Sequence, residues 1–176
     1  AIKGVGSGAV ATIVENRKEG KYKSIFDLAK RIDLRAANKK AIENLALAGG
    51  FDSFGNTTRA QYFHDDGDGI TFYEKAIRYG LKYQENENSA QVSLFGDTSE
   101  VQIAEPIVPP CEDWSTMEKL AKEKEVVGIY ISGHPLDDFK FEMKYFCNAK
   151  LEALKNMELH IGKTLAFGGI VSNVQR

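Results

Sequence analysis

Ile2-Lys3-Gly4-Val5-Gly6-Ser7-Gly8-Ala9-Val10 is the stretch whose reading decides the fold. A Gly-Val-Gly turn runs straight into Ala9–Arg17, where apolar residues at 10, 13 and 14 have helical spacing. Glycines tolerate positive φ and leave the backbone bare, so their amides can touch a ligand directly. At a helix N-terminus those amides and the helix dipole together favour an anion such as a phosphate.

Three glycine-based motifs compete for the stretch. A dinucleotide fingerprint needs a preceding strand and another glycine spacing. A P-loop needs a glycine five residues before Gly-Lys-Ser/Thr, and Gly162-Lys163-Thr164 has Met157 there. The pattern Lys3-Gly4-Val5-Gly6-x-Gly8 most resembles a helix-hairpin-helix, whose hairpin amides grip DNA backbone phosphates. A plain inter-helix turn is the bland alternative. The first helix of the motif is absent from the sequence, so a piece of a longer protein is expected.

A second unit follows. Ser24 is placed to N-cap a helix through Lys30, with Asp27 at its third position and Ile25, Leu28 and Ala29 on one face. Asp33–Ala37 is a connection. Asn38 caps a helix Lys39–Ala48, with Ala41, Ile42, Leu45, Ala46 and Ala48 as its apolar face, and Gly49-Gly50 ends it. Arg35, Lys39 and Lys40 flank this turn, a degenerate second hairpin. Two such hairpins can straddle a duplex without reading bases.

The charge distribution agrees. The net charge is −2. Residues 1–50 hold ten Lys/Arg, Lys18 and Lys21 among them, against five Asp/Glu, which makes this part +5 and leaves −7 on the remainder. A basic end on an acidic chain points to a polyanion partner at that end. The composition, 43 % hydrophobic and 27 % charged, is that of a globular protein. No apolar run approaches membrane-spanning length. Cys111 and Cys147 lack metal-ligand spacing and are expected as reduced thiols in a cytoplasmic protein.

Gly4-Val5-Gly6-x-Gly8-Ala9-Val10, then Tyr22–Leu28, then Asn38–Leu45 with Ala48–Asp52, resemble the alpha subunits of bacterial DNA polymerase III. The matched region lies beyond the polymerase active site: tandem helix-hairpin-helix, clamp-binding segment and lead-in to an oligonucleotide-binding (OB) domain. Lys124–Asp137 carries the resemblance further. It implies double-stranded DNA, held by its backbone, as one partner, with the beta sliding clamp and the remaining domains of the subunit as others. It also implies that catalytic residues and Mg²⁺ belong to a palm domain upstream, with no catalytic residue, metal ligand or cofactor in this chain.

Gln91-Val92-Ser93-Leu94-Phe95 resembles the pentapeptide by which such polymerases hold their clamp, with Val92 as the departure. Two apolar anchors and one orienting amide suit a peptide ligand in a pocket. The alternative is a loop whose Leu and Phe tuck onto their own domain. The pentapeptide is expected to lie in a polar, unstructured segment between the charged run Gln84–Asn88 and Gly96–Glu100.

The DNA-contacting set expected on this reading is Lys3, Gly4, Val5, Gly6, Ser7, Gly8, Lys18, Lys21, Arg35, Asn38, Lys39 and Lys40. The fold expected is mainly α, with a short C-terminal strand. Its parts are a tandem hairpin unit (1–55), a helical extension with an acidic loop (56–88) and a clamp peptide with Pro-containing linker (89–111). A helical linker (112–160) and the first strand of a truncated OB domain (161–176) follow.

Within 56–88, helices are predicted from Thr57 and from Phe72. His64–Gly69 tempts a calcium reading, but the twelfth loop position is Lys75 where a glutamate is required. A solvated acidic loop is expected. Glu112–Ser132 reads as one amphipathic helix with Trp114, Met117, Leu120, Ala121, Val127 and Ile131 on a stripe and Glu118–Lys122 as an i,i+4 pair. Leu136, Phe139, Met143 and Phe146 are the expected buried face of the next helix, with His134 in the turn before it. Leu165–Ser172 has strand period. Two other classes stay open: a structural spacer with negligible DNA affinity, and a helix-hairpin-helix DNA glycosylase, for which no catalytic aspartate stands in a recognisable pocket.

Overall fold

The computed structural model describes residues 1–92, 103–171, 174 and 175. It divides into two compact units, Ala1–Tyr130 and Ile131–Arg176. The chain is mainly helical, as predicted. In the first unit the helices are α1 (Ser7–Asn16), α2 (Ile25–Arg31), α3 (Lys39–Leu47), α4 (Arg59–Phe63), α5 (Phe72–Val92) and α6 (Thr116–Val127).

The two predicted caps form. The Ser24 side chain accepts the Asp27 N–H, and that of Asn38 accepts the Ala41 N–H. Each satisfies one of the orphan amides of a helix N-terminus. Gly49, at φ +79°, ends α3 in the left-handed region. The core lies where α5 crosses α2: Phe26 meets Phe72 and Tyr79 edge-on, with centroids 5.7 and 5.4 Å apart. Gly80 permits the crossing, because a Cβ there would stand 2.6 Å from the Ala29 carbonyl oxygen.

Gln84–Asn88 continues α5, within the helical extension expected over 56–88. The Gln84 amide donates to the carbonyls of Ala29 and Ile32, both at 2.9 Å, and caps the C-terminal end of α2. A tertiary partner thus outweighs the polar composition of this run. Gln91 and Val92 end α5; Ser93, Leu94 and Phe95 lie outside the described residues. The chain returns to the core at Ile103 and Val108.

Helix α6 is shorter than predicted. Ser115 and Glu118 form a reciprocal capping box at its start, and Gly128, at φ +88°, stops it. Its buried side chains are Leu120, Glu123 and Val126, whereas Met117 is exposed. Trp114 precedes the helix and stacks on Phe63 at 5.3 Å. Lys122 sits over its ring, so the predicted Glu118–Lys122 pair gives way to a cap and a cation–π contact.

The second unit contains α7 (Lys140–Tyr145) and a 3₁₀ segment, Leu151–His160, broken at Asn156. Phe139 and Phe146, predicted as buried, are exposed, while Pro135 is buried. Phe146 meets the likewise exposed ring of Phe141, with centroids 6.4 Å apart. The expected C-terminal strand is also absent from the described residues, which contain no sheet. Instead the Ala166 carbonyl accepts the N–H groups of Asn148 and Ala149, and Asn148 returns bonds to Thr164 and Ala166. A ladder needs a neighbouring strand, and here the bonds of the segment go to Asn148 and Ala149 instead.

Candidate nucleic-acid interface

The first hairpin is the turn Ile2–Val5. The Val5 N–H donates to the Ile2 carbonyl at 3.2 Å, and Gly4 has φ +72°. Among the described residues no non-glycine has positive φ, Lys3 included, so this is a type II turn with Gly4 at its third position. Gly6, extended at ψ 167°, begins α1 without a side-chain cap. The N–H groups of Gly4, Gly6, Ser7 and Gly8 have no acceptor among the described residues, and all four residues are exposed. The Val5 amide, expected among the donors, is consumed by the turn.

The second hairpin packs beside the first. Gly4 approaches the Lys40 stem, with 3.6 Å from an ideal Cβ to Cγ, and Gly8 approaches Ala36 at 3.9 Å. Lys3, Gly4, Gly6, Ser7, Gly8, Arg35, Asn38, Lys39 and Lys40 therefore belong to one neighbourhood. Lys3 and Arg35 are exposed and make no ion pair among the described residues. Lys40 pairs with Glu43 at 2.9 Å. Lys39 pairs with Glu74 of α5. This amine, with the N–H and hydroxyl of Thr71, holds the Glu74 carboxyl down at about 2.

Lys18 and Lys21 are not brought to this cluster. They follow the C-terminal end of α1, roughly 15 Å of helix away from its free amides. Lys18 pairs with Glu15 there. The acidic loop is organised internally. Asp65 Oδ1 accepts the N–H groups of Gly67 and Gly69, and Lys75 Nζ lies 3.1 and 3.0 Å from Asp66 and Asp68. That amine holds the Asp68 carboxyl low.

Three residues escaped the reading of the sequence. Asn44, 2 % exposed, donates from Nδ2 to the Lys3 carbonyl at 2.5 Å. Arg59 forks onto Asp52, at 3.0 and 2.6 Å, and meets the fully buried Glu123 of α6 at 3.3 Å. The signal was positional: Asn44 is three residues from Ala41, and Glu123 is three from both Leu120 and Val126. Each is a polar residue on an apolar stripe, which demands a buried partner.

Residues 1–62 match the family pattern of the helix-hairpin-helix motif. Over 98 % of its length the chain is 39 % identical to the DNA polymerase III subunit alpha of Campylobacter jejuni. The chain is related to one segment of the DNA polymerase III alpha subunit. The Mycobacterium tuberculosis subunit is 30 % identical over 100 % of the chain, and that of Escherichia coli K12 is 30 % identical over 97 %. The chain spans only about a seventh of these curated relatives: 14 % of the Campylobacter and Escherichia subunits and 15 % of the Mycobacterium one. Among the described residues of this alpha-subunit segment no helix is long and apolar enough to cross a membrane.

Proposed function

We propose that the chain is a non-catalytic processivity segment of a bacterial replicative DNA polymerase. It grips the backbone of duplex DNA with its paired hairpins and the beta sliding clamp with Gln91–Phe95, in the cytoplasm. The observation that carries this reading is the row of unpaired, exposed amides at Gly4, Gly6, Ser7 and Gly8 beside Lys3 and Arg35, within the stretch matched by the helix-hairpin-helix pattern. Donors of this kind suit phosphate oxygens and carry no base information. On this reading the Mg²⁺-dependent chemistry belongs to other parts of the polymerase, whose remaining domains are the third partner.

Neither grip needs to be strong. Non-specific duplex binding typically lies at about 10⁻⁴–10⁻⁶ M. Burying Leu94 and Phe95 yields roughly 1.5–3 kcal/mol each, against roughly 1–2 kcal/mol for fixing each backbone residue. Held together, two weak contacts raise avidity about 10²–10⁴-fold.

Titration of this chain against two unrelated duplexes at two salt concentrations, and against the clamp, tests both grips. Gly6 has φ −77° and a Cβ there meets nothing within 4 Å. Gly6→Val therefore keeps the fold but obstructs the phosphate approach. It is expected to weaken both duplexes equally. Leu94→Ala with Phe95→Ala is expected to abolish clamp binding and leave duplex binding intact. Duplex binding that is absent, or indifferent to Gly6→Val, would leave a structural spacer.

A further inference from the structure

The peptide group between Lys3 and Gly4 is held from inside the protein. Its carbonyl accepts the Asn44 amide at 2.5 Å, while the preceding N–H, that of Lys3, donates to the Val126 carbonyl at 2.8 Å. α3 and the last turn of α6 thus clasp one residue of the hairpin. Type I and type II turns differ by a flip of this central peptide. In a trans peptide the N–H points opposite to the carbonyl. A carbonyl pinned inward on Asn44 therefore aims the Gly4 N–H outward, and Gly4 accordingly adopts positive φ. The fit is close: a Cβ on Gly4 would stand 2.8 Å from Asn44 Nδ2.

We propose that Asn44 is the positioning residue of the DNA-binding turn: it selects the type II conformation and so presents the Gly4 amide, with those of Gly6 to Gly8, to a phosphate. This rests on the duplex-binding reading above. Asn44 itself touches no nucleic acid. Without its amide the Lys3 carbonyl loses the donor that holds it, and the peptide is free to flip towards water.

The test pairs hydrogen exchange with a double-mutant cycle on the whole chain. In Asn44→Leu, neutral and close in volume, the Val5 amide is expected to exchange at least ten-fold faster, while the core amide of Ile32 keeps its protection. Duplex affinity is expected to fall about ten-fold. In the Gly6→Val background the same substitution is expected to add almost nothing, because the first hairpin is already disabled. In a Lys39→Ala background it retains its full effect. A general loss of stability would instead act alike in both backgrounds, and that result overturns the proposal. So does unchanged Val5 exchange. If Ile32 loses protection in Asn44→Leu and also in Asn44→Ala, Asn44 supports the whole core, and the positioning role is rejected. Wild-type chain that binds no duplex defeats the functional reading separately, while Val5 exchange still decides the role in the turn.

Discussion

Removing Glu123 is expected to loosen the whole first unit. Its side chain is fully buried and faces Arg59, which is 6 % exposed, at 3.3 Å. Breaking a buried ion pair by deleting one partner costs roughly 3–5 kcal/mol. Arg59 would keep Asp52 at 2.6 Å and the Leu47 carbonyl at 3.4 Å, so Glu123→Ala should fall at the low end, about 3 kcal/mol. Glu123→Gln keeps an acceptor and should cost less, about 1.5 kcal/mol, the value of one hydrogen bond to a charged group. The double variant Arg59→Met/Glu123→Leu removes both charges and frees Asp52 to solvent. It should cost less than Glu123→Leu alone, since a buried pair replaced by apolar residues is often near neutral. Urea unfolding followed by circular dichroism measures all four, at an unchanged m-value. A loss below about 1 kcal/mol in Glu123→Ala, or a double variant as costly as Glu123→Leu alone, would refute a coupled buried pair.

Gly80→Ala presses a methyl group onto the Ala29 backbone at the crossing of α2 and α5. Overpacking of about 1–3 kcal/mol should exceed the gain of about 1 kcal/mol in helix propensity; a melting temperature above wild type would contradict that close approach. Glu74 supplies a pH-dependent term. Its folded pKa of about 2 lies below the ordinary 4.5, so its stabilisation is complete above pH 4.5 and vanishes as pH falls towards 2. An NMR titration should show that pKa rising in Lys39→Ala, yet staying below 4.5 because Thr71 still donates. It should also rise on adding duplex if phosphates draw Lys39 away, and an unmoved value would show that Lys39 stays on Glu74.

What was legible in the sequence was local. Ser24, Asn38 and Gly49 act through neighbours three or four residues away, so their types and spacings announce the helix ends. What stayed hidden depends on distant partners. Gln84 stood in the charged run of a predicted helical extension, and nothing nearby in sequence named the carbonyls at the end of α2 as its partners. Glu123 spoiled an otherwise apolar stripe, and nothing nearby in sequence names Arg59 as its partner. The extent of α6 was misread because the sheer length of the apolar pattern concealed the stop at Gly128. Lys39 and Lys40 were legible as hairpin cations, but their carboxylate partners Glu74 and Glu43 were not.

The path of the chain constrains how the two proposed grips could cooperate. α5 is fixed to the end of α2 by Gln84, and the returning strand of chain is fixed to the same helix, where Glu105 meets Lys30 at 3.1 Å. The described residues on either side of 93–102 thus belong to α5, which carries Gln84, and to the core against which Ile103 packs. A fully extended chain reaches about 3.3–3.6 Å per residue, and tethering at both ends shortens that reach. A clamp bound to Leu94 and Phe95 would consequently be held close to the hairpin unit, where a short link gives effective concentrations of order mM. Lengthening the segment between Phe95 and Ile103 with Gly-Ser repeats should then weaken joint binding to a clamp loaded on duplex, while the affinity for free clamp stays constant. Equal affinities on loaded and free clamp, at every linker length, would mean that the two grips act independently.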